Sequence, residues 1–148
     1  GHGFASSCFF EGFGMSDDNL VMVDAENYLD FVSPSFIRLG KAFGCPGLHS
    51  CGNFSDKTGI FSRIEGLKIV DAAFTAETDP SPNPAEPFAG ALAGTGIVLN
   101  ARMVGDPEVV EETTRKLWRP GMKLLAVTFS PDPGEQRTCY ERIYSICR

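Results

Sequence analysis

The stretch from Gly96 to Leu117, GIVLNARMVGDPEVVEETTRKL, decides how the rest of the chain is read. Its opening, Gly96 to Asn100, is a short aliphatic run of the kind that forms a buried strand. A connection follows, and Asp106-Pro107 then opens a helix. Asp106 stands at the N-cap, and Pro107 occupies the first helical position, where a missing N–H costs nothing. Glu108, Glu111 and Glu112 load the early part and Arg115 and Lys116 the late part, matching the helix dipole. Strand, connection and helix together make one βα unit.

The same alternation runs outward in both directions. Upstream, Cys8 to Met15 reads as a strand that leads into the polar turn Ser16-Asp17-Asp18-Asn19. A helix starts near Asp24, with Tyr28, Phe31, Val32, Phe36, Leu39 and Phe43 on one apolar face; Pro34 predicts a kink or break in it. Gly47 to Ser50 is a second short strand. It precedes a helix capped at Ser55, with Ile60, Phe61 and Ile64 inward and Gly66 at its end. Lys68 to Phe74 is a third strand, running into the proline-rich stretch TAETDPSPNPAEP and a short helix through Phe88 and Leu92. Downstream, Lys123 to Phe129 is a fifth strand. The last helix opens at Asp132-Pro133-Gly134-Glu135, a capping aspartate with a carboxylate three residues on, and its apolar face is Tyr140, Ile143, Tyr144 and Cys147. Five consecutive βα units predict an α/β protein with a parallel sheet and right-handed crossovers. An open doubly wound sheet and part of a (β/α)8 barrel both satisfy that order. In either, ligands gather at the carboxyl ends of the strands.

Composition narrows the class. The chain has 148 residues, 43% of them hydrophobic and 22% charged, an ordinary globular balance for one domain across residues 1–148. No apolar run reaches the ~20 residues that span a bilayer, which excludes a membrane role. A formal net charge of -6 and thinly spread Lys and Arg exclude a nucleic-acid role. Five cysteines, an odd number at irregular spacing and with no leader in view, predict free thiols in a reducing cytoplasm. Cys8, Cys45, Cys139 and Cys147 read as small buried hydrophobes.

Polar groups collect after the strands. His49 and Cys51, in LHSCGN, are good zinc ligands, and a catalytic zinc takes three protein ligands with one open position. A hydrogen-bonded structural histidine is the alternative. A cysteine-histidine nucleophile is disfavoured, because side chains two apart on an extended strand do not face each other productively. Asp17 and Asp18 bind substrate or move a proton, or else cap the next element. Glu77 and Asp79 are loop carboxylates. Arg102, directly after a strand, is a partner for a substrate carboxylate or a surface ion pair. Gly12-Phe13-Gly14 and Gly94-Thr95-Gly96 lack the pattern of a nucleotide loop. His2, between two glycines, reads as part of a frayed terminus.

The ordered segments SDDNLVMVDAENYLDFVSP, LHSCGN, MVGDPEVVEETTRKL and SPDPGEQ resemble the uroporphyrinogen decarboxylase superfamily, especially its methyltransferase-like branch. The resemblance runs from about Met15 to Arg148. It implies a (β/α)8 barrel of which this chain is the C-terminal part, strands four to eight, and the opening Gly1-His2-Gly3 fits a fragment. An arc of five strands leaves two edges, so completion by a missing N-terminal half or by a second copy is expected. The fragment alone is expected to be inactive.

The resemblance further implies zinc on His49 and Cys51 and methyl transfer between a corrinoid and a thiol, with a corrinoid protein or a small thiol as partner. Asp18 is then the catalytic acid or base, and Asp17, Asn53, Glu77, Asn100 and Arg102 are substrate-binding residues. The branch's third thiolate falls near Ala126 to Thr128, where this chain has no cysteine, and Cys139 lies a helical turn too late. Weak zinc binding by the chain alone follows, with Asp18 or Glu77 to complete the coordination. Two alternatives remain: uroporphyrinogen decarboxylation, which uses no metal, and a barrel without chemistry that only binds a corrinoid partner.

Overall fold

A computed structural model describes residues 12–44 and 46–148 of the chain. Its strands are β1 Gly14–Ser16, β2 Gly47–His49, β3 Ile69–Ala73, β4 Val98–Arg102 and β5 Lys123–Val127. All four pairings are parallel, and the spatial order β1-β2-β3-β4-β5 equals the chain order. The molecule is an α/β protein in which five parallel strands alternate with helices. A doubly wound sheet reverses its strand order at a switch point, and the described strands show no reversal. Residues 8–11 of the expected first strand, with Cys8, Cys45 and His2, lie outside the described residues.

The connections follow the anticipated periodicity with local departures. Between β1 and β2 the chain forms α1 Ala25–Asn27, a π turn Tyr28–Val32 and α2 Ser33–Phe43. Pro34 has no N–H, and its ring crowds the carbonyl four residues back. The helix accommodates it by widening, and the Ser33 N–H reaches the Tyr28 carbonyl, one residue further than in an α-helix. That extra residue turns the apolar face. Tyr28 and Phe36 are buried, whereas Phe31 and Phe43 stay 76% and 69% exposed, so the single stripe expected from 28 to 43 is broken.

The second connection is a 3-10 helix, Ser55–Arg63, rather than an α-helix. Ser55 does not cap it: the Asn53 carboxamide oxygen accepts from the Ser55 N–H at 3.0 Å and from its hydroxyl at 2.8 Å. Ile60, Phe61 and Ile64 are buried as anticipated, and Gly66 ends the segment at a φ of 84°. The remaining helices are α3 Ala85–Leu92, α4 Pro107–Leu117 and α5 Pro133–Ile146. Asp132 caps α5 through the Glu135 N–H, but Asp106 at the head of α4 makes no side-chain cap bond. On α5 it is Cys139 that turns inward, while Tyr140 and Tyr144 are 62% and 52% exposed.

Right-handed crossovers in this order put successive helices on the same side of a sheet. The 3-10 helix touches α3, α3 touches α4, and α4 touches α5. Between them and the sheet lies an aromatic centre in which Phe88 meets Phe54 and Phe74 edge-on, at centroid separations of 5.5 and 5.1 Å. No helix among the described residues is long and apolar enough to cross a membrane.

Candidate metal centre

Strand register builds the site. Ser16, His49, Asp71, Asn100 and Leu125 form one row across the sheet. Side chains level with one another in a parallel sheet share a face, and Arg102, two residues beyond Asn100, shares it too. The centre of this row is polar and fully buried, with His49, Asp71 and Asn100 all at 1% exposure or less. Buried charge requires partners, and Asp71 has three. One of its oxygens, Oδ2, takes His49 Nδ1 and, at 3.0 Å, Arg102 Nε; the other, Oδ1, takes Asn100 Nδ2.

A carboxylate only accepts, so Nδ1 is the nitrogen that donates to Asp71, and Nε2 faces the Cys51 loop. Cys51 Sγ stands 3.5 Å from that nitrogen. The geometric objection raised against a cysteine-histidine nucleophile, that side chains two apart on a strand do not face each other productively, does not hold here. Strand β2 stops at His49, and the chain then bends through Gly52, whose φ of +74° suits glycine. Cys51 lies beyond the end of the strand, and its sulfur reaches the imidazole. Asp18, in the 3-10 turn Asp18–Val21 that follows β1, accepts the Cys51 N–H at 2.9 Å. One ligand atom each from Asp18, His49 and Cys51 lie within 4.8 Å of one another.

Two further side chains hold this loop. Asp79 Oδ2 accepts the Gly52 N–H at 2.8 Å; Asn83 accepts from the Phe54 N–H at 2.8 Å and donates to the Gly52 carbonyl at 3.0 Å. Partial burial pushes the Cys51 thiol up, the negative charge of Asp18 pushes it further, and Arg102 pulls the other way. Left to itself, this sulfur stays protonated at neutral pH. A cation between it, the imidazole and the Asp18 carboxylate would reverse that preference.

The other expected site residues fall in different places. Asp17 is buried and committed to structure: it accepts the Asn19 N–H and the Tyr28 hydroxyl, the latter at 3.0 Å. Asn53 spends its oxygen on the 3-10 helix start. Glu77 is exposed, on the loop after β3 beside Gly105, and is not part of the Asp18–His49–Cys51 group. Asn100 sits in the buried row. Arg102 is the last residue of β4, not the first after it, and its ion pair is with buried Asp71, not at the surface. Asp71 and Asn83 went unremarked in sequence, and Asp79 was read only as a loop carboxylate after the third strand. For Asp71 the signal was there, a lone acid inside the apolar run IVDAA; Asp79 and Asn83 look like any loop residues in a proline-rich segment.

Comparison of the chain with protein-family models, with curated proteins and with solved structures finds no match.

Proposed function

We propose that this protein is a zinc-dependent enzyme of the methyltransferase-like branch of the uroporphyrinogen decarboxylase superfamily, moving a methyl group between a corrinoid and a thiol. The observation that carries the reading is the convergence of Asp18, His49 and Cys51 at the carboxyl ends of β1 and β2. An imidazole nitrogen, a thiolate and a carboxylate oxygen are ligands zinc accepts, and three of them leave the fourth tetrahedral position open. Asp18 supplies the third donor where the sequence has no third thiolate. Asp71 supports the choice, since a metal-binding histidine characteristically gives its other N–H to a carboxylate. The unreversed strand order supports reading the sheet as five units of a (β/α)8 barrel, with the site on its catalytic rim.

Bound there, zinc would hold a thiol substrate as thiolate near neutral pH. The protein's own part is to fix the ligands. Asp71 orients the imidazole, Asp18 ties the Cys51 backbone, and Asp79 and Asn83 brace the turn behind it. The test is the zinc content of the purified, dialysed chain. With Asp18 as third donor in place of the missing thiolate, about one zinc per chain is expected, more than the weak binding anticipated from the sequence. Cys51→Ser and His49→Ala should lose most of it, and Asp71→Asn should weaken affinity by roughly 10–100-fold. Cobalt(II) in place of zinc should show sulfur-to-metal charge transfer that grows when a small thiol is added. No zinc in the wild-type chain, or zinc indifferent to Cys51, sinks the metal reading; a cobalt spectrum unmoved by thiols sinks the thiol-methylation reading.

A further inference from the structure

Arg102 is held at one end, and a terminal nitrogen at its other end has no partner among the described residues. Its Nε donates to Asp71 Oδ2 at 3.0 Å, which fixes the plane of the guanidinium beside His49, because the same oxygen also holds His49 Nδ1. The terminal nitrogen Nη2 is buried and has no hydrogen-bond partner among the described residues. The side chain as a whole is 15% exposed, so part of it lies at the surface while Nη2 itself is buried. Its charge also acts on Cys51, pulling the thiol downward against Asp18. A buried cationic N–H with no acceptor is costly, and native proteins rarely leave one without a role.

We propose that the free edge of Arg102 is an anion subsite of the metal centre, and that the substrate is a thiol carrying a carboxylate. Asp71 already neutralises one edge of the guanidinium. The terminal nitrogen Nη2 remains as a fixed, in-plane N–H donor for a carboxylate oxygen. Lysine, a point charge on a flexible stem, could not be anchored at one edge and bind at another. The sulfur of such a substrate takes the open metal position while its carboxylate takes Arg102, and two anchors set the direction of the thiolate. The inference rests on the metal reading for the sulfur end only.

The experiment is calorimetric titration of the zinc-loaded full chain with 3-mercaptopropionate and 2-mercaptoethanol, and of the metal-free chain with propionate. The carboxylate thiol should bind about tenfold or more tightly than the neutral one, the range of a charge-assisted hydrogen-bonded pair. Arg102→Gln should abolish that preference, with 2-mercaptoethanol titrated alongside to read any loss at the metal itself, and Arg102→Lys should not restore it. Because either variant can disturb Asp71, the wild type supplies a second reading: propionate should shift the Arg102 guanidinium resonances in the nitrogen-15 spectrum. Equal affinity for the two thiols in the wild type, or guanidinium resonances that propionate does not move, overturns the proposal. Arg102-dependent propionate binding in a chain that takes up no zinc would keep the anion subsite and sink the metal centre. Zinc uptake with no carboxylate preference would do the reverse.

Discussion

Cys51 lies at the surface, yet its sulfur sits over a buried imidazole and beside a carboxylate. Burial and the Asp18 charge both favour the neutral thiol, so in the metal-free chain the thiolate forms only above the ordinary cysteine range. Alkylation by iodoacetamide, read by mass spectrometry on the peptide containing Cys51, should therefore be slow at neutral pH and accelerate as pH rises through and past that range. Asp18→Asn removes the carboxylate's charge and should shift the profile to lower pH; an unmoved profile would show that Asp18 does not act on the sulfur. The pair His49 and Cys51 was legible because two soft ligands one residue apart is an uncommon local pattern. Asp71 gave only the hint of an acid in an apolar strand; its role rests on partners on β2 and β4, which no local window contains.

At the scale of single elements, the two aspartates that look alike in sequence behave differently. Asp132 and Asp106 each precede a proline at the first position of a helix. Asp132 Oδ1 accepts the Glu135 N–H at 2.9 Å, while Asp106 accepts none. Asp132→Ala should cost about 1 kcal/mol in urea unfolding. Asp106→Ala should cost less, only the loss of a favourable charge near a helix dipole, about 0.3–1 kcal/mol. Equal losses would mean that Asp106 forms a cap in solution. The π turn at Tyr28–Val32 shows the same limit of local reading. Pro34 announced a disturbance, but whether a helix breaks, bends or widens depends on what it packs against. Here buried Tyr28 and Phe36 hold both halves in place.

Across the whole molecule, stability should be concentrated between the sheet and the middle helices. Phe88 is fully buried against Phe54, Phe61 and Phe74, so Phe88→Ala should cost about 3–5 kcal/mol, a large share of an ordinary domain's stability. Leu124 lines an open apolar groove of about 430 Å³ between β5 and α5, together with Tyr140, Ile143 and Tyr144. Truncating it enlarges a space that is already open, and Leu124→Ala should cost roughly half as much or less. Denaturant unfolding of the two variants checks the contrast; comparable losses would mean that the groove is closed in solution. The alternation of strands and helices, and with it the parallel sheet and the carboxyl-end rim, was determined by the sequence alone. Hydrophobic period, caps and prolines act within about ten residues and are written along the chain. Tertiary structure decided the strand order, which side chains share a row, and which acid joins His49 and Cys51. Those depend on register between strands 20 to 30 residues apart, where a shift of one residue turns every side chain to the other face.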